Sequence, residues 1–414
     1  MAANSYMKFL CLLMLNRFVD SKTITMYYGS MDKATYYRQK ALGDGYLRKQ
    51  TVYADQDKHA PVTMFCLTKA GFDYICAQDH CLTEFFELES KPFPYPVHNA
   101  MDMKKDKKIR QTRRSTALVL AHKAGAVIPI ENYTTLIRDI SPDSEAYSLT
   151  EFIRDNLTPA VYQYSNLYEY HGQASEIVFH TDLCVKAAAG GINRAANVQD
   201  YLNGRFSGIV DSPKKSILLY TAPPAGGMSW TKWRTEKEFL SYRIWVKMHQ
   251  QGNMDELRRS GSCAALIVDN PKQFYRLYYN TDKTPTSRSY DFGDPFTHFY
   301  ILPATPEGAQ QLHWLMMTND EDVNRQLISK AVKSGKFAQN LQFLVGLFPL
   351  VSQDRAYTAL GFHLDAKILR TIEQKARENP DKSFCLLCFA WQADYYKKIL
   401  PDNVRITAIN AKMK

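Results

Sequence analysis

Several motifs that identify large enzyme classes are missing from this sequence. It has no GxxxxGK[ST] loop to hold nucleotide phosphates, no HExxH zinc motif and no GxSxG nucleophile turn. These absences exclude the P-loop nucleotidases, the HExxH metalloproteases and the GxSxG hydrolases, so far as their motifs define them. The sequence therefore indicates more about binding than about catalysis.

Long apolar runs are also missing. No stretch reaches the roughly 18 residues that a membrane-spanning helix needs. The nearest candidate, Met7–Leu15, is short, contains Lys8 and lacks a small-residue cleavage site, which favours a buried helix over a signal peptide. We therefore expect a cytoplasmic protein with no membrane partner.

The eight cysteines show neither a disulfide framework nor a zinc spacing. Cys385 and Cys388 form a CxxC inside an apolar stretch typical of a buried strand, with no second CxxC or His pair. Cys76, His80 and Cys81 match no zinc pattern either. We expect buried thiols, no metal site and no cofactor.

Charge is concentrated near the N-terminus. The 414 residues carry a net charge of +10, and 45% of them are hydrophobic, which is typical of a globular chain of two or three domains. Residues 1–50 contain eight Lys or Arg against three Asp, and residues 101–125 contain eight against two. Two basic blocks of this kind favour a polyanionic partner.

The first 87 residues have the pattern of a winged helix-turn-helix. Helical periodicity and caps predict helices over Ser5–Arg17, Ser21–Tyr28 and Lys33–Leu42, and alternating apolar residues predict strands over Tyr46–Tyr53 and Val62–Leu67. A fourth helix begins near residue 68. Three helices followed by a hairpin is the order in which the third helix enters the major groove and the hairpin reaches the backbone.

The third predicted helix and the hairpin carry the side chains that DNA recognition needs. Lysine and arginine pair with phosphates, while threonine and tyrosine reach phosphates or base edges. Helical spacing places Ala34, Tyr37 and Ala41 on the buried stripe. The predicted DNA contacts of this domain are Lys33, Thr35, Tyr36, Arg38, Lys40, Arg48, Lys49 and Lys58.

Two segments of this domain resemble a known family. Thr35–Leu47 reads TYYRQKALGDGYL, and Phe65–Gly71 reads FCLTKAG. A helix, then L..GYL, then a strand ending in LT..G, resembles the start of replication-relaxation proteins of plasmids and integrative elements in Gram-positive bacteria. The resemblance covers about the first 85 residues and implies a bacterial DNA-binding protein of a mobile genetic element, acting in its replication, mobilisation or regulation.

The next segment, residues 88–114, is predicted to be a linker followed by a basic segment. Pro92, Pro94 and Pro96 disfavour helix and central strand. Seven of the eleven residues from Lys104 to Arg114 are basic, so the segment could grip phosphates or be the solvated start of a helix that continues through Ala117–Ala124. As a phosphate-binding segment it would move with the linker and contribute Lys104, Lys105, Lys107, Lys108 and Arg110.

Residues 115–414 alternate between apolar strands and amphipathic helices. This pattern predicts an α/β domain with a mainly parallel sheet covered on both faces, with two subdomains as an option and a break near 251–262. Predicted strands include Cys263–Val268, Leu341–Phe348 and Val404–Ile409. No internal repeat is evident.

Two functions of different classes remain open, and a third interpretation makes the N-terminal domain a protein-docking module. The first is binding of double-stranded DNA, with other proteins of the element or a second copy of the chain as further partners. The second is metal-dependent DNA nicking or cleavage by the C-terminal domain. The sequence lacks the His-x-His pair of common rolling-circle relaxases, and Asp211, Glu236, Glu238 and the tyrosines of Tyr162–Tyr170 form no complete catalytic set.

Overall fold

The computed structural model describes residues 5–16, 18–53, 61–78, 104–126, 178–181, 207–212, 214–224, 261–279 and 296–410. Across these ranges the chain is a mixed α/β protein with three sheets, two of them partly parallel. None of the helices in this part of the chain is long and apolar enough to cross a membrane.

The N-terminal elements follow the predicted order, with one short strand added. Asp20 caps the second helix through the amide of Thr23 at 2.7 Å, and Gly29 ends it with φ +66°. Ser30 caps the third helix. The elements are α1 (Ser5–Asn16), β1 (Val19–Asp20), α2 (Ser21–Tyr28), α3 (Met31–Gly43), β2 (Leu47–Tyr53), β3 (Pro61–Leu67) and α4 (Lys69–Gln78).

The three strands form an antiparallel sheet in the order β1-β3-β2. Because side chains alternate along a strand, β3 contributes to two cores. Phe65 and Leu67 pack with Phe9, Leu10 and Ile24 of the helices. Met64 and Cys66 face the opposite way and pack with Phe18.

A long helix, α5 (Lys105–Lys123), covers that second face. Ile109 packs with Phe18, Met64 and Cys66, and the Ser115 hydroxyl donates to the carbonyl of Phe18 at 2.5 Å. The basic segment is thus the first half of a packed helix rather than a part that moves with the linker, because its apolar and hydroxyl side chains lie against the sheet. The boundary predicted between residues 114 and 115 falls inside this helix.

The middle sheet has the order β4-β5-β6-β7-β8. The first three strands pair antiparallel, and β6, β7 and β8 pair parallel. Residues 251–262 lie between β6 and β7, which are neighbours here, so the optional subdomain break falls within one sheet. The elements are β4 (Val178–Thr181), β5 (Gly208–Asp211), β6 (Ser216–Thr221), β7 (Cys263–Val268), α6 (Pro271–Tyr279), β8 (His298–Pro303), α7 (Pro306–Met317) and α8 (Asp320–Lys333).

The C-terminal sheet repeats this arrangement, with two antiparallel pairings followed by two parallel ones in the order β9-β10-β11-β12-β13. The prediction of one mainly parallel sheet is therefore wrong. The structure has two sheets, each with two antiparallel pairings among its first three strands and two parallel pairings among its last three. The elements are β9 (Phe337–Gln339), β10 (Leu350–Ser352), β11 (Tyr357–Leu360), α9 (Ala366–Glu378), β12 (Phe384–Phe389), α10 (Ala393–Tyr396) and β13 (Val404–Ile409).

Helices cover both faces of the two large sheets. One face of the middle sheet packs on α5 and α7, and its other face shares a core with α6, α9 and the C-terminal sheet. The remaining face of the C-terminal sheet packs on α8. Cys385 and Cys388 are buried free thiols in β12, as the apolar stretch around them predicts.

The strand predicted over Leu341–Phe348 is wrong. This segment is a loop between β9 and β10, in which Leu341 is 80% exposed and Leu344 has φ +44°. The side-chain amide of Asn340 donates to the carbonyls of Phe343 and Phe348, both at 2.6 Å. These bonds hold the loop closed, and only part of its apolar side chains enters the core.

Candidate nucleic-acid interface

Helix α3 presents an exposed basic and aromatic face. Lys33, Tyr36 and Lys40 lie at positions i, i+3 and i+7, which share one side of a helix. All three are exposed, Tyr36 at 61%. We call these three residues the reading face. Ala34 and Ala41 are buried on the opposite side, as the spacing predicts.

Two other predicted contacts on α3 lie away from this face. The Arg38 guanidinium donates to the Ser21 hydroxyl at 3.0 Å and lies over the Phe65 ring, 5.5 Å from its centroid. These contacts hold Arg38 between α2 and the sheet, so its first role is to join the elements of the domain. Thr35 is half-buried.

The basic residues of the hairpin point to opposite faces of the sheet. Lys49 pairs with Phe65, on the face that packs against the helices, whereas Arg48 pairs with Cys66, on the face covered by α5. Burial raises the pKa of the Cys66 thiol, and the charges of Arg48 and Lys108 oppose that rise. The side chains of Arg48 and Lys49 are exposed, and Lys58 lies outside the described residues.

The basic segment divides in a similar way. Lys104, Lys105 and Arg110 are exposed, while Lys108 is only 5% exposed. Lys108 is therefore not placed to reach a phosphate, because the packing of α5 against the sheet covers it. The side chain of Lys107 lies outside the described part of the chain.

The family-like motif LT..G has a structural role beside the reading helix. The Thr68 hydroxyl accepts from the amide of Gly71 at 3.1 Å and donates to the carbonyl of Gly45 at 2.6 Å. The amide of Thr68 also donates to the carbonyl of Tyr46 at 2.9 Å. These bonds connect the start of α4 to the turn that follows α3, and so hold the C-terminal end of α3 in place.

A groove lies where four helices meet, and its volume is about 550 Å³. Four elements line it: the start of α1, the end of α2, the first half of α3 and the end of α5. Only the α3 side of the groove is predictable from the sequence, because the other residues come together through tertiary packing. The lining residues are Ser5, Lys8, Tyr27, Tyr28, Asp32, Lys33, Tyr36, Tyr37, His122 and Lys123.

Aromatic rings run through this region in a continuous series. Tyr37 stacks on Tyr28 with ring centroids 4.8 Å apart, and Tyr28 meets Tyr27 edge-on at 5.1 Å. Tyr27 in turn stacks on His122 at 5.9 Å. Tyr36 meets Tyr37 edge-on at 5.2 Å. The tyrosine ladder, defined by these five rings, joins α2 and α3 to α5.

A second cluster of polar side chains is buried around Tyr300 of β8, whose ring belongs to the core on the α5 and α7 side of the middle sheet. Asp320 at the start of α8 accepts from the Tyr300 hydroxyl at 2.6 Å and pairs with the Lys215 ammonium. Burial alone would raise the pKa of Asp320. The charges of His363 and Lys215 and the hydrogen bonds from Lys215 and Tyr300 outweigh this effect and lower the pKa to about 2. Asp320 is thus charged at neutral pH, and this buried ion cluster joins β6, β8 and α8.

The described residues contain no group of three or more His, Cys, Asp or Glu side chains arranged to hold a metal ion. Asp211 ends β5, and its side chain lies outside the described part, as do Glu236, Glu238 and Tyr162–Tyr170. Comparisons with protein-family models, with curated proteins and with solved structures gave no match. The replication-relaxation resemblance therefore stays a prediction.

Proposed function

We propose that this protein binds double-stranded DNA through an N-terminal winged helix and serves a bacterial mobile element in its replication, mobilisation or regulation. The element order α1-β1-α2-α3-β2-β3-α4 and the sheet order β1-β3-β2 support the winged helix. In such modules the third helix lies in the major groove, which is about 12 Å wide and admits one helix.

The reading face is the observation that carries this proposal. Lys33 and Lys40 lie on the side of α3 turned away from the core, with the exposed ring of Tyr36 between them, and Lys40 also pairs with Asp44 at 2.9 Å. Lysine ammonium groups pair with phosphates, and a tyrosine hydroxyl can bond to a phosphate or a base edge. The opposite, buried side of the helix is mostly alanine and tyrosine, so the chemistry of the two sides differs sharply.

Removing the reading face is expected to weaken duplex binding. In the double variant Lys33→Gln/Tyr36→Ala, each substitution should weaken duplex binding by about 1–3 kcal/mol. Little stability should be lost, because both side chains are exposed. Duplexes recovered by crosslinking to the protein, measured by fluorescence anisotropy, provide the assay. Lys69→Gln is the matched control, since Lys69 is an exposed lysine on α4 paired with Asp73. Wild-type affinity in the double variant would remove α3 from the interface.

The exposed half of the basic segment supplies a second, sequence-independent contribution. Lys104, Lys105 and Arg110 lie on the helix that covers the Arg48 face of the hairpin. Changing all three to Gln should lower the slope of log affinity against log salt by about two to three, since each lost phosphate contact removes about 0.9. Preference for the cognate duplex over random DNA should survive. An unchanged slope would mean that the start of α5 lies outside the interface.

A further inference from the structure

The four-helix groove combines aromatic rings with positive charge. Lys8 of α1, Lys33 of α3 and Lys123 of α5 line it together with one acidic side chain, Asp32. The three lysines come from three different helices, so the fold brings them together and no single helix face accounts for the cluster. The Lys123 ammonium lies 5.7 Å from the centroid of the Tyr27 ring.

The rings of the groove are held in place by one another. Tyr28 and Tyr37 are nearly parallel, with 11° between their planes, and the Tyr28 hydroxyl donates to the carbonyl of Ser5 at 3.3 Å. Tyr36, at the groove edge, remains 61% exposed. A fixed ladder ending in an exposed ring offers a stacking surface that loses little side-chain entropy when a flat ligand binds.

We propose that this groove binds an unpaired nucleotide, its base against the exposed ring of Tyr36 at the end of the tyrosine ladder and its phosphate near Lys8 and Lys123. Stacking on aromatic side chains within a basic groove is how proteins hold single-stranded nucleic acid. A volume of about 550 Å³ lies within the usual size of a small-ligand site, roughly 300–1,000 Å³. A base paired within a duplex has no open face to stack, so this site differs from the reading face, although both include Lys33 and Tyr36.

This inference rests on the proposed function, because the nucleotide would belong to an unpaired strand of the same DNA. A free nucleotide has the same chemistry and is the alternative source. The test uses the full chain and a fluorescein-labelled thymidylate hexamer followed by anisotropy. Lys8→Gln with Lys123→Gln should weaken hexamer binding about tenfold while leaving duplex affinity nearly unchanged. Both lysines are exposed, so the fold is expected to survive, which circular dichroism checks.

Lys49→Gln is the matched control, since Lys49 lies on the hairpin and not in the groove. It should weaken duplex binding and leave hexamer binding unchanged. A hexamer of abasic sites should bind at least fivefold more weakly than thymidylate, because it has charge without bases. Competition by free thymidine monophosphate would identify a free nucleotide as the ligand, and its absence would identify a strand.

Two results would overturn the inference: wild-type hexamer affinity in the Lys8→Gln/Lys123→Gln variant, or equal affinity for the abasic and thymidylate hexamers. If duplex binding is absent in the wild type but the hexamer results hold, the proposed function fails and the nucleotide site stands. If the duplex binds and the hexamer does not, the nucleotide site fails and the proposed function stands.

Discussion

Replacing Lys215 by methionine is expected to lower the free energy of unfolding by about 3–5 kcal/mol, because the buried Asp320 carboxylate loses its ammonium partner. The carboxylate keeps the Tyr300 hydroxyl and the His363 imidazole, 3.6 Å away, whose pKa burial lowers. Lys215 is almost fully buried, and its ammonium lies over the Tyr300 ring, 5.6 Å from the ring centroid. Water therefore has little access to solvate the Asp320 carboxylate once the ammonium is removed. Urea denaturation of the full chain at pH 7 measures the effect.

Neutralising the second partner should restore part of this loss. In Lys215→Met/Asp320→Asn, the amide can still accept from Tyr300, and no unpaired charge remains. Lys375→Met is the matched control, because the pair of Lys375 with Glu378 is exposed and such pairs contribute less than about 1 kcal/mol. A loss below 1 kcal/mol in Lys215→Met would show that the buried ion cluster is dispensable for stability.

Substituting alanine for Gly71 is the second large expected effect. A Cβ atom at Gly71 would lie 2.5 Å from the carbonyl oxygen of Tyr46 and 3.0 Å from the Leu67 side chain. Alanine favours a helix over glycine by about 1 kcal/mol, but here the backbone of the turn must move to make room. We therefore expect a net loss of about 1–3 kcal/mol in unfolding free energy.

The control for Gly71 lies in the same domain. Gly43 ends α3, and a Cβ there would meet nothing within 4 Å, so Gly43→Ala should be neutral or slightly stabilising. Thermal unfolding of the two variants, read by circular dichroism, compares them directly. Equal melting temperatures would mean that α4 does not hold the turn after α3 in place.

Local signals account for what the sequence predicted well. The Asp20 cap of α2 and the Thr305-Pro306 start of α7 are signals carried by neighbouring residues alone, and the structure contains both. Strand Cys263–Val268 is apolar and buried over its whole length, and Val404–Ile409 places Val404 and Ile406 at alternate positions; both strands are observed with the predicted bounds. Such features survive because tertiary packing reinforces the local preference.

The rest depended on contacts between distant residues. The strands β9 and β10 have three residues each, too few to show any periodicity, whereas the loop between them, Leu341–Phe348, is apolar enough to predict a strand. Arg38 and Lys108 carry the charge expected of DNA contacts, but Ser21 and the sheet decide where their side chains lie. The groove shows the same limit, since Lys8, Tyr27 and Lys123 are far apart in the sequence.

Helix α5 belongs to two cores at once. The hydroxyls of Thr23 and Thr116 meet at 2.9 Å on its N-terminal-domain side, while Leu118 and Leu120 pack against the middle sheet. One continuous helix thus packs against both the N-terminal domain and the middle sheet. If the proposed function holds, DNA bound at the reading face would therefore be joined to the middle sheet through a single packed helix.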